Sequence, residues 1–163
     1  MYKKLLTPFL LLALTSSAWA QNKTVRTFQF ESKSGSHTAR IVFQTIRFDE
    51  SKHKVLIDRN NRTIIDGRPA FGTDASVPNV EVISMRLYVD GSEIHVPKHL
   101  YVDCYDPNFT SRDLRVRFDR KDPRIVIVDL HGADAAAAYT VRWHLKTKGR
   151  HTRSAYQDFS AEG

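Results

Sequence analysis

Two stretches in the C-terminal third of the chain alternate apolar and polar residues with a period of two. Leu114, Val116 and Phe118 interleave with Arg115 and Arg117, and Tyr139, Val141, Trp143 and Leu145 interleave with Thr140, Arg142, His144 and Lys146. Successive side chains of a strand point to opposite faces, so the pattern predicts two strands, each with one buried and one exposed face. Between them Ile125-Val126-Ile127-Val128 is apolar throughout, as in a central strand covered on both sides. Together the three read as an antiparallel meander whose middle strand is the most protected.

The same reading extends upstream. Short runs rich in Val, Ile, Phe, Tyr and Arg, punctuated by Gly and Pro, predict strands over 25–30, 39–48, 53–58, 62–66, 80–89, 92–96, 114–119, 124–130 and 139–147, with a further one near 150–156. Asp90-Gly91 joins two of these as a tight hairpin in which Gly91 takes a positive φ. No window of a dozen residues holds a period of 3.6, so helical structure reduces to short turns, at 98–105 after Pro97 and at the four alanines 135–138. The predicted fold is all-β, an antiparallel β-sandwich of about eight or nine strands with at most one or two short helical turns, ahead of a closed barrel. Segments 66–78 and 97–110 read as long ordered loops, where a rigid scaffold commonly carries its binding residues.

The first 20 residues have a different character. Lys3 and Lys4 precede a Leu-rich run from Leu5 to Leu14, and small residues lead to Ala18-Trp19-Ala20. This order is that of a secretory signal peptide, and a run of about ten apolar residues is too short to span a bilayer. No cysteine lies near the cleavage point to carry a lipid. The expectation is a periplasmic or secreted product in which 21–163 form a single domain. Removal of residues 1–20 lowers the formal charge from +7 to +5 over the remaining 143 residues. Composition and length argue against a membrane-spanning protein, a disulfide scaffold, a coiled coil or a disordered chain.

Cys104 is the single cysteine and has no partner for an internal bridge. Its neighbours Leu100, Tyr101, Val102 and Tyr105 favour burial as a small hydrophobe; a bridge between chains or a reactive thiol is the alternative.

The residues that carry chemistry form three groups. Arg115, Arg117, Arg142, His144 and Lys146 fall on the polar face of the meander, with Lys148, Arg150 and Arg153 following. Such a stripe suits an anionic polymer or an envelope protein. It equally suits a charged outer face that keeps strands from aggregating. Nucleic acid is disfavoured, because no aromatic residues are interleaved for base stacking. In the two long loops Asp66, Asp74, Asp103 and Asp106 are candidate carboxylates for hydrolysis or, with Asn108, for calcium; turn-forming Asp is the competing reading. His95, His99 and Asp103 are spaced by four, but Pro97 breaks the helix they would need, leaving His99 and Asp103 as a weak metal pair.

No Gly-x-Ser-x-Gly, His-Glu-x-x-His or glycine-rich phosphate loop occurs, and no cofactor is implied. The functional expectation is an exported, non-enzymatic binding module that contacts an envelope component, an anionic polymer or a partner protein. The alternatives are a small exported hydrolase using loop carboxylates and a metal-binding periplasmic protein.

Overall fold

The computed structural model describes residues 24–133 and 135–157, and over these the chain is all-β with three antiparallel sheets. The segment read as a signal peptide lies outside the described residues. In chain order the strands are β1 (Arg26–Ser34), β2 (His37–Arg47), β3 (Val55–Ile57), β4 (Thr63–Ile65), β5 (Arg68–Pro69), β6 (Val80–Val89), β7 (Ser92–His95), β8 (Leu114–Phe118), β9 (Ile125–Gly132), β10 (Tyr139–Lys146) and β11 (Thr152–Gln157). One sheet has the order β1-β2-β6-β7 and a second β11-β10-β9-β8, while β3-β4-β5 form a small third. Among the described residues, helical structure is limited to 3₁₀ turns at Glu50–Lys52, Lys98–Leu100 and Ala135–Ala137. No helix there is long and apolar enough to cross a membrane.

The alternation of the C-terminal strands translates directly into packing. Val128 pairs with Trp143 on one side and Val116 on the other, which aligns the apolar positions of β8, β9 and β10 on one face. Trp143, Val128 and Leu130 from this sheet join Ile41, Phe43 and Leu87 from the other in a single buried cluster. Burying one such large side chain is worth roughly 1.5–3 kcal/mol. On β6 the inward positions are Val82, Met85, Leu87 and Val89, an irregular spacing that strict alternation forbids. The register against β2 slips between Gln44 and Thr45, and this bulge resets the parity so that both halves of β6 face the core.

Turn chemistry sets the hairpins. Asp90 and Gly91, at φ 50° and 81°, close the β6–β7 hairpin between the paired Val89 and Ser92, as expected of a primed turn. The β1–β2 hairpin is equally tight: Ser34 pairs with His37 across Gly35 at φ 58°. These strands run further into the polar segment than the apolar pattern alone predicts.

The helix expected over 98–105 ends after one turn. The N–H groups of Tyr101 and Val102 both donate to the carbonyl of Lys98, and the chain then leaves to make a parallel bridge between Cys104 and Phe71. An isolated helix of this length has little intrinsic stability, so the long-range backbone pairing wins. For the same reason 66–78 is not wholly irregular. It contains β5, and the Phe71 N–H donates to Asp103 O at 2.9 Å while the Tyr105 N–H donates to Phe71 O at 2.9 Å.

Side chains from β10 and β11 hold the 97–106 segment in place. The Trp143 indole N–H donates to Leu100 O at 2.6 Å, and the Tyr139 hydroxyl donates to Tyr105 O at 3.0 Å. Tyr139 lies against two glycines that leave it room. A Cβ at Gly132 would enter its ring, and one at Gly72 would strike the Tyr105 carbonyl. Gly72 also sits at φ 89°, a conformation open to glycine and strained for other residues. At the far seam His151 uses both ring nitrogens. Nδ1 accepts the Lys146 N–H at 3.1 Å and Nε2–H donates to His95 O at 2.8 Å, joining β7 to β10.

Candidate functional site

The five basic residues predicted on the meander are brought to one face of β8–β10, since strand register places Arg115 and Arg142 on either side of Asp129, and Arg117 and His144 on either side of Ile127. The face is less charged than its sequence suggests. Asp129, only 11% exposed, takes Arg142 Nε at 2.5 Å on one oxygen and Arg117 Nη2 at 3.1 Å on the other. The pairing with Asp129 holds the Arg142 guanidinium more firmly protonated than usual. Arg115 is exposed and makes no ion pair among the described residues. Ile127 is buried on this face, flanked by Arg117 and His144, whose apolar stems cover such a position well.

Arg153 does not belong to this stripe. It pairs with Trp143 in register and therefore points to the inner side of the sheet, where both its terminal nitrogens meet the carboxylate of Asp103. It also donates to Leu100 O at 3.0 Å and lies 5.4 Å from the centroid of the Phe71 ring.

The basic face continues where sequence alternation gave no signal. A groove of about 630 Å3 between the β1–β2 hairpin and the β8–β9 turn is lined by Lys33, Arg117, Arg120 and Lys121. Asp119 is the acidic residue among its lining groups, and its Oδ1 accepts the N–H groups of Lys121 at 2.7 Å and Asp122 at 3.0 Å. Those N–H donors hold its pKa below the usual carboxylate value. Lys33, Arg120 and Lys121 lie in turns or at a strand end, where no face is defined by alternation; the Arg-Lys pair inside Asp119–Pro123 was the available clue.

The four loop carboxylates have separate fates. Asp106, at φ 42°, receives the N–H groups of Asn79 and Val80 at 3.0 and 2.7 Å and thereby caps the start of β6. Asp74 is exposed and makes no hydrogen bond or ion pair among the described residues. Asp66 and Asp103 do line one depression, of about 350 Å3, together with Arg68, Lys98 and His99. Neither is a spare acid. Asp66 accepts from His53 at 2.8 Å and from the Lys54 N–H at 2.9 Å, and the His53 contact foremost holds its pKa low. Asp103 is committed to Arg153 through both oxygens. A general acid for sugar hydrolysis needs a raised pKa, and that of Asp66 is lowered.

His99 and Asp103 share that depression, while His95 stays on β7, exposed and apart from its lining. Among the described residues no three His, Cys, Asp or Glu side chains are grouped to hold a metal ion. Cys104 is buried and unbridged, and burial drives its thiol far above the ordinary cysteine value. A thiol so placed is not a nucleophile at neutral pH.

The fold and its basic surface define an all-β domain with a positively charged outer sheet face. No protein-family model matches this chain, and no curated protein or solved structure is significantly similar to it.

Proposed function

We propose that the protein is an exported, non-enzymatic binding module whose basic face holds an anionic polymer of the cell envelope. One observation carries this reading. The outer face of β8–β10 runs on into a groove where four bases, Lys33, Arg117, Arg120 and Lys121, outnumber the one lining carboxylate, Asp119. A ridge of excess positive charge beside a trough attracts polyanions and lets several of their groups bind at once. Export rests on the Lys3-Lys4, Leu-rich and Ala18-Trp19-Ala20 order of the leader.

The test is retention of the purified protein on a dextran sulfate resin, eluted by salt. An Arg115→Gln/Arg120→Gln/Lys121→Gln/Lys146→Gln variant is expected to elute at clearly lower salt, the slope of log affinity against log salt falling by roughly one per phosphate- or sulfate-type contact removed. Elution unchanged in the variant, or no salt-sensitive retention of the parent, overturns the proposal.

A further inference from the structure

The depression between the β4–β5 turn and the 97–105 segment is a second, smaller site with a chemistry of its own. Its walls are joined by the backbone bridge between Phe71 and Cys104, so it is built into the fold, not left between independent loops. Ile65, Val102 and Tyr105 give it an apolar side, with Ile65 and Tyr105 buried. Of its two carboxylates, Asp103 is paired from behind with Arg153, and Asp66 is hydrogen-bonded to His53 Nδ1 at 2.8 Å. Arg68, Lys98 and His99 are exposed on its rim, and none of their side chains makes a hydrogen bond or an ion pair among the described residues. Arg68, Lys98 and Arg153 stand against Asp66 and Asp103, so the formal balance of the site is cationic, beside an apolar wall. Its volume, about 350 Å3, is that of a pocket for one small organic group.

We infer that this depression binds the carboxylate of a small organic acid, Arg68 and Lys98 pairing with the anion and His99 donating to it, while the ligand body lies against Val102 and Ile65. Arg supplies the planar fork that matches a carboxylate and Lys a mobile point charge beside it. The carboxylate has two natural sources in an envelope, a sugar acid and the end of a peptide. The site is separate from the basic sheet face and does not depend on the polymer reading.

Titration of the isotope-labelled protein with glucuronate and with N-acetylalanine, followed by amide chemical shifts and calorimetry, tests the inference. The uncharged controls are methyl glucuronate ester and N-acetylalanine amide. One acid is expected to shift the signals of Arg68, Lys98 and His99, its neutral counterpart to leave them in place, and the acid that binds identifies the source. Arg68→Gln/Lys98→Gln is expected to weaken that binding by about tenfold or more, as loss of charge-assisted bonds does. Both positions are exposed, so the variant is expected to keep the parent melting temperature. The four-residue variant of the sheet face should bind the acid with unchanged affinity, which separates this result from the polymer test. The inference is overturned if neither acid shifts those residues at millimolar concentration, if the neutral counterpart binds as well, or if Arg68→Gln/Lys98→Gln retains full affinity.

Discussion

Arg153 and Arg115 belong to the same four-stranded sheet and have opposite fates. Arg153, on β11, is directed inward, its side chain 12% exposed and clamped by Asp103 at 16% exposure. Arg115, on β8, stands in solvent opposite Asp129 in register and takes no part in an ion pair among the described residues. Between these extremes lie Arg117 and Arg142, 44% and 49% exposed, which share Asp129. The side of the sheet decides what the same guanidinium does. Inside, it has exchanged water for a fixed carboxylate, a carbonyl and a ring, and its loss leaves partners stranded. Outside, water competes for every contact, and a surface pair contributes about 0–1 kcal/mol.

The contrast is tested most severely by breaking the inner pair alone. Asp103→Asn leaves a largely buried guanidinium without its counter-charge, and Arg153→Met strands the carboxylate. Removal of one member of a buried pair typically destabilises by about 3–5 kcal/mol. Either single change is expected to lower the melting temperature by many degrees and to expose Cys104 to a thiol reagent that leaves the parent untouched. The effect should be nearly independent of salt, since buried charges are poorly screened. A shift within error of that of Arg115→Met would show that the two faces do not differ as argued.

A change on the outer face is expected to act on binding more than on stability. Asp129→Asn removes the acid that Arg117 and Arg142 share, and should cost about 1 kcal/mol, with Asp129 itself only 11% exposed but its partners half in water. Both arginines are then free for an external anion. The variant is expected to elute from dextran sulfate at higher salt than the parent, whereas Asp103→Asn, where it folds, should elute where the parent does. Equal or weaker retention of Asp129→Asn would mean that Asp129 organises the two arginines for the polymer and does not withhold them from it.

Local pattern made the outer face legible, and its limits explain what was hidden. Alternation over Leu114–Phe118 and Tyr139–Lys146 identified the strands and the side on which Arg115, Arg117, Arg142, His144 and Lys146 emerge, because a period of two is a property of the chain itself. Asp90-Gly91 was legible for the same reason. Parity in β11 was not: its inward positions are Arg153 and Ala155, opposite Trp143 and Val141, and neither reads as core. The resetting bulge in β6 and the two-residue β5 are likewise settled by neighbouring strands. The carboxylates were the least readable of all. Asp66, Asp103 and Asp106 looked alike in composition, yet their roles depend on His53, Arg153 and the N–H of Val80, each between 13 and 50 residues away in sequence.

The smallest effect expected of this surface comes from pH, and it concerns surface carboxylates that hold N–H groups of their own turns, as Asp58, Asp119 and Asp122 do, or of residues distant in sequence, as Asp66 and Asp90 do. Asp58 is held below its ordinary pKa chiefly by the Arg62 N–H, Asp66 and Asp90 chiefly by the rings of His53 and His37, Asp119 by the Lys121 N–H, and Asp122 by the Arg124 guanidinium. In each case the folded state favours the ionised form. On acidification the unfolded chain takes up these protons first, at about pH 4, so the stabilisation is complete above that value and is lost as pH falls through the lowered folded values. Each contribution is slight because the groups lie in water, and salt should shrink it further. Denaturant titrations between pH 7 and pH 2 are therefore expected to show a stability that is flat to about pH 4 as far as these groups are concerned and then declines, the decline being shallower in an Asp90→Asn/Asp122→Asn variant. An acid limb as steep in that variant as in the parent would show that the hydrogen bonds accepted by Asp90 and Asp122 do not carry the acid sensitivity of the fold.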